Sequence, residues 1–145
     1  MKASGYLSLF DLKTNKFIYD IDHELKVFGI NQKLKNLFID QSKNYWFLTE
    51  DNSFYLYDIR KKELIKIEDA NDNSFSKYGV PCELAQYKNL YYIIYSSGIL
   101  RCWDSASGEF TIQDTSFVGK ISDTTDRLNI IPTSSGDLWL MYNNA

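Results

Sequence analysis

The chain has 145 residues, long enough to bury a sizeable core and short enough to form one domain. Aromatic residues make up 16% of it, a bias that suits pleated, half-buried strands better than helices. Lys and Arg are scattered and the net charge is −3, which excludes the concentrated basic footprint of a nucleic-acid binder.

Taken from the N-terminus, Gly5 to Phe10 and Lys16 to Ile21 read as two strands, followed by a mixed connector, Asp22 to Lys33, that holds the only histidine. Leu34 to Asp40, Asn44 to Thr49, Ser53 to Asp58 and Glu63 to Glu68 then form a run of four strands separated by short polar turns. The second of these is apolar on both faces, as expected of a strand sandwiched between neighbours. The fourth alternates charge with Leu64, Ile65 and Ile67, as expected of an outer edge protected against pairing. After a polar connector, Asp69 to Pro81, the same order returns in Cys82 to Tyr87, Leu90 to Tyr95, Gly98 to Trp103 and Glu109 to Gln113. A second polar connector, Asp114 to Asp126, leads to two last strands, Arg127 to Pro132 and Asp137 to Tyr142.

These elements repeat. Lys2 to Asp11, Thr49 to Asp58 and Tyr95 to Asp104 superpose without gaps, and Tyr142 to Ala145 begins a fourth copy, at offsets of 47, 46 and 47 residues. An aromatic stands at one place in the preceding strand of each copy: Trp46, Tyr92 and Trp139. The expected fold class is all-β, with β-propeller blades of four antiparallel strands in about three repeats of 46–47 residues. The organisation is a single propeller segment spanning 1–145: an outer half-blade at 1–22, blades at 34–68 and 82–113, and an inner half-blade at 127–145. The two half-blades would complete one composite blade, a common way to close such a ring. Three repeats fall short of the four to eight usual for a closed propeller. The expected partners are therefore the remaining blades of a larger propeller or a second copy of the chain.

The longest wholly apolar run, Leu90 to Tyr95, is far shorter than the ~20 residues needed to cross a bilayer, so no membrane span is expected here. The N-terminus turns charged too early for a signal peptide, which suggests a cytoplasmic protein if Met1 is the native start, or else an excised piece.

Little in the chain suggests chemistry. His23 lacks the G-x-S-x-G turn that would accompany a nucleophile. Asp69, Asn71 and Asn73 have the odd spacing of a calcium loop, but Ser74 stands where its glycine belongs and Val80 where its bidentate Glu should be. Cys82 and Cys102 read as buried thiols. No catalytic residue, metal site or cofactor is expected, and the protein reads as a non-enzyme. The recurrence of Trp46, Tyr92 and Trp139 at one position points to packing. Ligand candidates are instead connector and turn residues outside the strand pattern: Asp72, Tyr78, Phe117, Asp126 and Arg127, with Asn52 and Asn143.

The stretch Ser134 to Asn144, SSGDLWLMYNN, preceded by Leu128 to Ile131, resembles the two-component regulator propeller repeat. Asn44 to Asp58 is similar, with Trp46 and Thr49 at its Trp and Thr positions and Tyr57-Asp58 at its Tyr-Asp position. Tyr92 replaces the Trp in the second copy, and the glycine of the third strand is absent at Asn52-Ser53. The resemblance implies a periplasmic sensor region of a Bacteroides-type hybrid histidine kinase, responsive to an oligosaccharide ligand. An alternative resemblance, carried by Ile99 to Phe110, is to the last strands of a WD40 blade and implies a protein-interaction scaffold; the Gly-His signature of that repeat is missing.

Overall fold

Residues 8–20, 25–67, 77–120 and 128–141 are described by the computed structural model and carry twelve strands. These are β1 (Ser8–Asp11), β2 (Lys16–Asp20), β3 (Leu34–Ile39), β4 (Tyr45–Thr49), β5 (Phe54–Asp58), β6 (Glu63–Lys66), β7 (Pro81–Tyr87), β8 (Leu90–Tyr95), β9 (Leu100–Asp104), β10 (Glu109–Asp114), β11 (Asn129–Pro132) and β12 (Leu138–Met141). Every expected strand within the described residues is present. The start of β9 moves from Gly98 to Leu100 because Gly98 belongs to the preceding turn, with a φ of +84°.

Two sheets are four-stranded, in the orders β3-β4-β5-β6 and β7-β8-β9-β10, and two are hairpins, β1-β2 and β11-β12. The protein is all-β, built of antiparallel sheets in which each strand lies beside its sequence neighbour. Among the described residues no helix is long and apolar enough to cross a membrane. Two compact units divide the chain, 1–37 with 45–67 and 38–44 with 68–145.

In the first unit, the register Tyr45↔Tyr57 and Phe47↔Tyr55 puts these four rings on one face of the sheet. Trp46, Leu48, Phe54 and Leu56 take the opposite face, and all four are buried. A helical turn at Leu25 lies over the first face. Gly29 N–H donates to the Lys26 carbonyl and Ile30 N–H to the Leu25 carbonyl, with Gly29 at φ +82°, which is a Schellman closure. That closure brings Leu25 and Ile30 together, buried against Phe47.

The second unit repeats this arrangement one period later. Tyr91, Ile93, Arg101 and Trp103 share the face that corresponds to Tyr45, Phe47, Tyr55 and Tyr57, here termed the connector face. Tyr92, Ile94, Leu100 and Cys102 share the other, the stacking face. Ala85, Ile94 and Leu100 of the stacking face pack against Leu128, Ile130, Leu138 and Leu140 of the β11–β12 hairpin, which forms the core of this unit. A fully buried side chain such as Ile94 contributes about 1.5–3 kcal/mol relative to an exposed one.

The aspartate that ends each repeat has a local cause. Asp11 accepts the Lys13 N–H and the Thr14 hydroxyl, Asp58 the N–H groups of Arg60 and Lys61, and Asp104 the Ala106 N–H. Four residues later the backbone takes a left-handed conformation in every copy, at Asn15 (φ 53°), Lys62 (φ 55°) and Gly108 (φ 74°). A carboxylate satisfies amides that the hairpin turn leaves unbonded, which accounts for the recurrence of the residue.

Asp51 does similar work one turn earlier, accepting the Thr49 and Ser53 hydroxyls and the Ser53 N–H. The Thr49 hydroxyl is the main reason its carboxyl lies below the usual carboxylate value, against a smaller opposing effect of burial. Asp11 is lowered chiefly by Thr14 and Asp114 by the Ser116 backbone N–H. A lowered folded pKa means stability that is present above the unfolded value and is lost as pH falls through the folded one. Glu83 has the opposite sign: burial raises its carboxyl, so its protonation favours the folded state. Asp51→Asn is accordingly expected to flatten the loss of stability below about pH 4, and Glu83→Gln to steepen it, as read from urea midpoints against pH.

Candidate functional site

In the second unit, two connectors meet at one turn. The β8–β9 turn, Ser96-Ser97-Gly98, is closed by the Gly98 N–H donating to the Tyr95 carbonyl and the Tyr95 N–H donating to the Ile99 carbonyl. At the first connector the Ser97 hydroxyl donates to the Tyr78 carbonyl at 2.6 Å. The Ser96 N–H donates to the Val80 carbonyl at 2.8 Å, and its hydroxyl accepts the Val80 N–H at 3.0 Å. From the second connector the Phe117–Val118 backbone lies so close to Gly98 that a Cβ there would sit 2.7 Å from the Phe117 carbonyl carbon. Short polar residues and a glycine are what such a double approach requires, because each hydroxyl replaces a backbone partner and the glycine leaves room for the second chain.

Arg101 stands beneath this turn on the connector face. Its guanidinium lies 4.3 Å from the Tyr78 ring centroid and 3.8 Å from that of Phe110. The Tyr78 ring also packs on Tyr95, with centroids 5.7 Å apart. A planar cation suits the slot between two rings, whereas an ammonium on a flexible stem does not. Arg101→Lys is therefore expected to cost about 1–2 kcal/mol in chemical denaturation, with the sheet retained.

Of the sequence-derived ligand candidates, Tyr78 and Phe117 reach the same turn, the first at Ser97 and the second at Gly98. Tyr78 is buried and its ring is occupied by Arg101, while Phe117 is half-buried with Lys120 near its ring. Asn52 lies in the corresponding turn of the first unit at φ +62°, where it takes the left-handed place that Gly98 holds in the next repeat, and its side-chain oxygen accepts the Lys35 ammonium at 3.1 Å. The absent third-strand glycine is thus replaced by a residue that tolerates the same conformation. Asp72, Asp126, Arg127 and Asn143 lie outside the described residues, as do His23 and the Asp69–Asn71–Asn73 cluster.

Arg101 itself was hidden inside the strand pattern. Its signal is an arginine in an otherwise apolar strand, between Leu100 and Cys102, at the position that holds Tyr55 one repeat earlier. Neither cysteine is in a disulfide: Cys102 is buried as expected, with its pKa pushed up by that burial, whereas Cys82 is only half-buried and donates to the Val80 carbonyl at 3.4 Å. Burial keeps the Cys102 thiol protonated and unreactive.

Fold and site together define an all-β protein of repeated antiparallel sheets with an aromatic and arginine cluster under a connector crossing. No family model matches the chain, and neither does any curated protein. Among solved structures it is similar to the crystal structure of the computationally designed Ika4 protein, at 16% sequence identity and a TM-score of 0.50, over 97% of this chain and 81% of that one. At that identity the likeness concerns the fold alone.

Proposed function

We propose that the chain is a segment of a β-propeller that acts by binding rather than by catalysis, as part of the extracytoplasmic sensor of a hybrid two-component system. The observation that carries the propeller reading is the coincidence of the 46-residue sequence repeat with two successive up-and-down four-stranded sheets, the second stacked on a further hairpin by its Ile94 face. The sensor reading draws on the regulator-repeat resemblance of Asn44 to Asp58 and Ser134 to Asn144. Binding would be centred on the connector crossing, where the Phe117 backbone approaches Gly98 and the Phe117 ring is half-buried with the Lys120 ammonium near it. Aromatic rings suit the apolar faces of sugars.

Calorimetric titration with a panel of oligosaccharides tests the binding role. Binding that is weakened at least about tenfold by Phe117→Ala, with circular dichroism unchanged, supports it. Absence of binding across the panel, together with a natural reading frame that carries no kinase on either side, would overturn the sensor reading.

A further inference from the structure

The stacking face of the last hairpin is open. Ile131 pairs with Trp139 across β11 and β12, and Met141 follows two residues later on the same side. These three are 53%, 69% and 57% exposed, while Leu138 and Leu140 on the opposite side are packed into the core. Isolated exposed apolar residues mean little, but three adjacent ones on one strand face form a patch.

The internal repeat shows what such a face is built to receive. Ile94 occupies the position of Met141 one repeat earlier, and it is fully buried under the β11–β12 hairpin. Leu48, two repeats earlier, is also fully buried, and so is Trp46, which corresponds to Trp139. In the second unit the covering surface is the connector face of the next repeat, made of Leu128, Ile130, Leu138 and Leu140. The occupant that matches the Ile131, Trp139 and Met141 face is therefore the connector side of another sheet of this same repeat.

This chain carries such a surface. The connector face of β4–β5 is overlaid by the Leu25–Ile30 turn, whose outer residues Val27 and Phe28 are 75% and 40% exposed. The Phe28 ring rests on Tyr57, with centroids 5.1 Å apart, so this apolar surface is held on the sheet. We propose that two copies of the chain associate head to tail, the Ile131, Trp139 and Met141 face of one seating on the Val27 and Phe28 surface of the other. The proposal rests on the propeller reading, since it continues the same sheet-on-sheet stacking from one chain to the next. Because the two surfaces differ, the contact is heterologous and adds further copies, as a ring if the rotation closes and as an open filament if it does not.

Sedimentation equilibrium of the full chain between about 1 and 100 μM, a range that brackets micromolar dissociation constants, tests this. The expected result is concentration-dependent association, weakened at least about tenfold by Met141→Glu and equally by Phe28→Glu, each with an unchanged circular dichroism spectrum. Mixing the two variants is expected to give a one-to-one dimer that grows no further, since each retains one intact surface. Trp139 emission should shift to the blue on association. Should Met141→Glu disturb folding, Trp139→Ser serves in its place. A monomer throughout the range overturns the proposal, as does association untouched by either variant. A chain that associates as described yet binds no oligosaccharide would count against the sugar-binding role and leave the association standing.

Discussion

Gly98→Ala is expected to destabilise the second unit by about 3 kcal/mol or more, the sum of a left-handed backbone penalty and an overlap with packed neighbours. Gly98 has a φ of +84°, where an L-residue costs about 1–2 kcal/mol. A methyl group there would meet the Phe117 carbonyl and lie 2.9 Å from the Val118 nitrogen. Both are backbone atoms, so no rotamer change relieves the overlap and the 114–120 segment must move. Gly108→Ala provides the control. Gly108 is also left-handed, at φ +74°, but nothing lies within 4 Å of its added Cβ, so only the conformational term of about 1 kcal/mol is expected. Urea unfolding of the two variants isolates the cost of the overlap. Equal destabilisation would mean that the Phe117 backbone does not approach this turn, and the connector crossing would have to be abandoned.

Trp46→Ala carries the other large effect. Its side chain is fully buried on the stacking face of β4, against Phe54 at a centroid distance of 5.2 Å. Removal of a buried indole leaves a cavity that a β-sheet cannot collapse, and the expected loss is about 3–5 kcal/mol. The same substitution at Trp139, the matching position of the last repeat, is expected to change the stability of dilute protein by no more than about 0.5 kcal/mol, because its side chain is mostly exposed. Thermal melts at low protein concentration compare the two directly. Similar losses at both positions would show that the Ile131, Trp139 and Met141 face is covered within a single chain.

The strands were legible because each depends on its own residues. Alternation, β-branched and aromatic content and polar turns sufficed to place β3 to β10 within two residues of their observed ends. The turn chemistry could be read as well. Asp58 and Asp104 recur because a carboxylate caps the following amides, and Asn52 stands for Gly98 because both accept a positive φ. The site was legible only in part. Tyr78 and Phe117 read from the sequence as connector residues, and both contact one turn, but nothing in the local sequence ties Tyr78 to Arg101. An arginine within an apolar strand reads locally as a solvent-facing residue. Its burial depends on Tyr78, far away in sequence, arriving to stack on it.

By itself, then, the sequence determined the all-β character and the twelve strands seen among the described residues, in a period of 46 or 47 residues, since pleat and turn preferences act over a few neighbouring residues. Only the tertiary structure decided what each copy of a position does. Trp46, Tyr92 and Trp139 share one place in the repeat, yet the first is buried, the second half-buried and the third exposed. Burial is a property of what lies over a face. That depends on the neighbouring sheet, which no local pattern within the strand itself specifies.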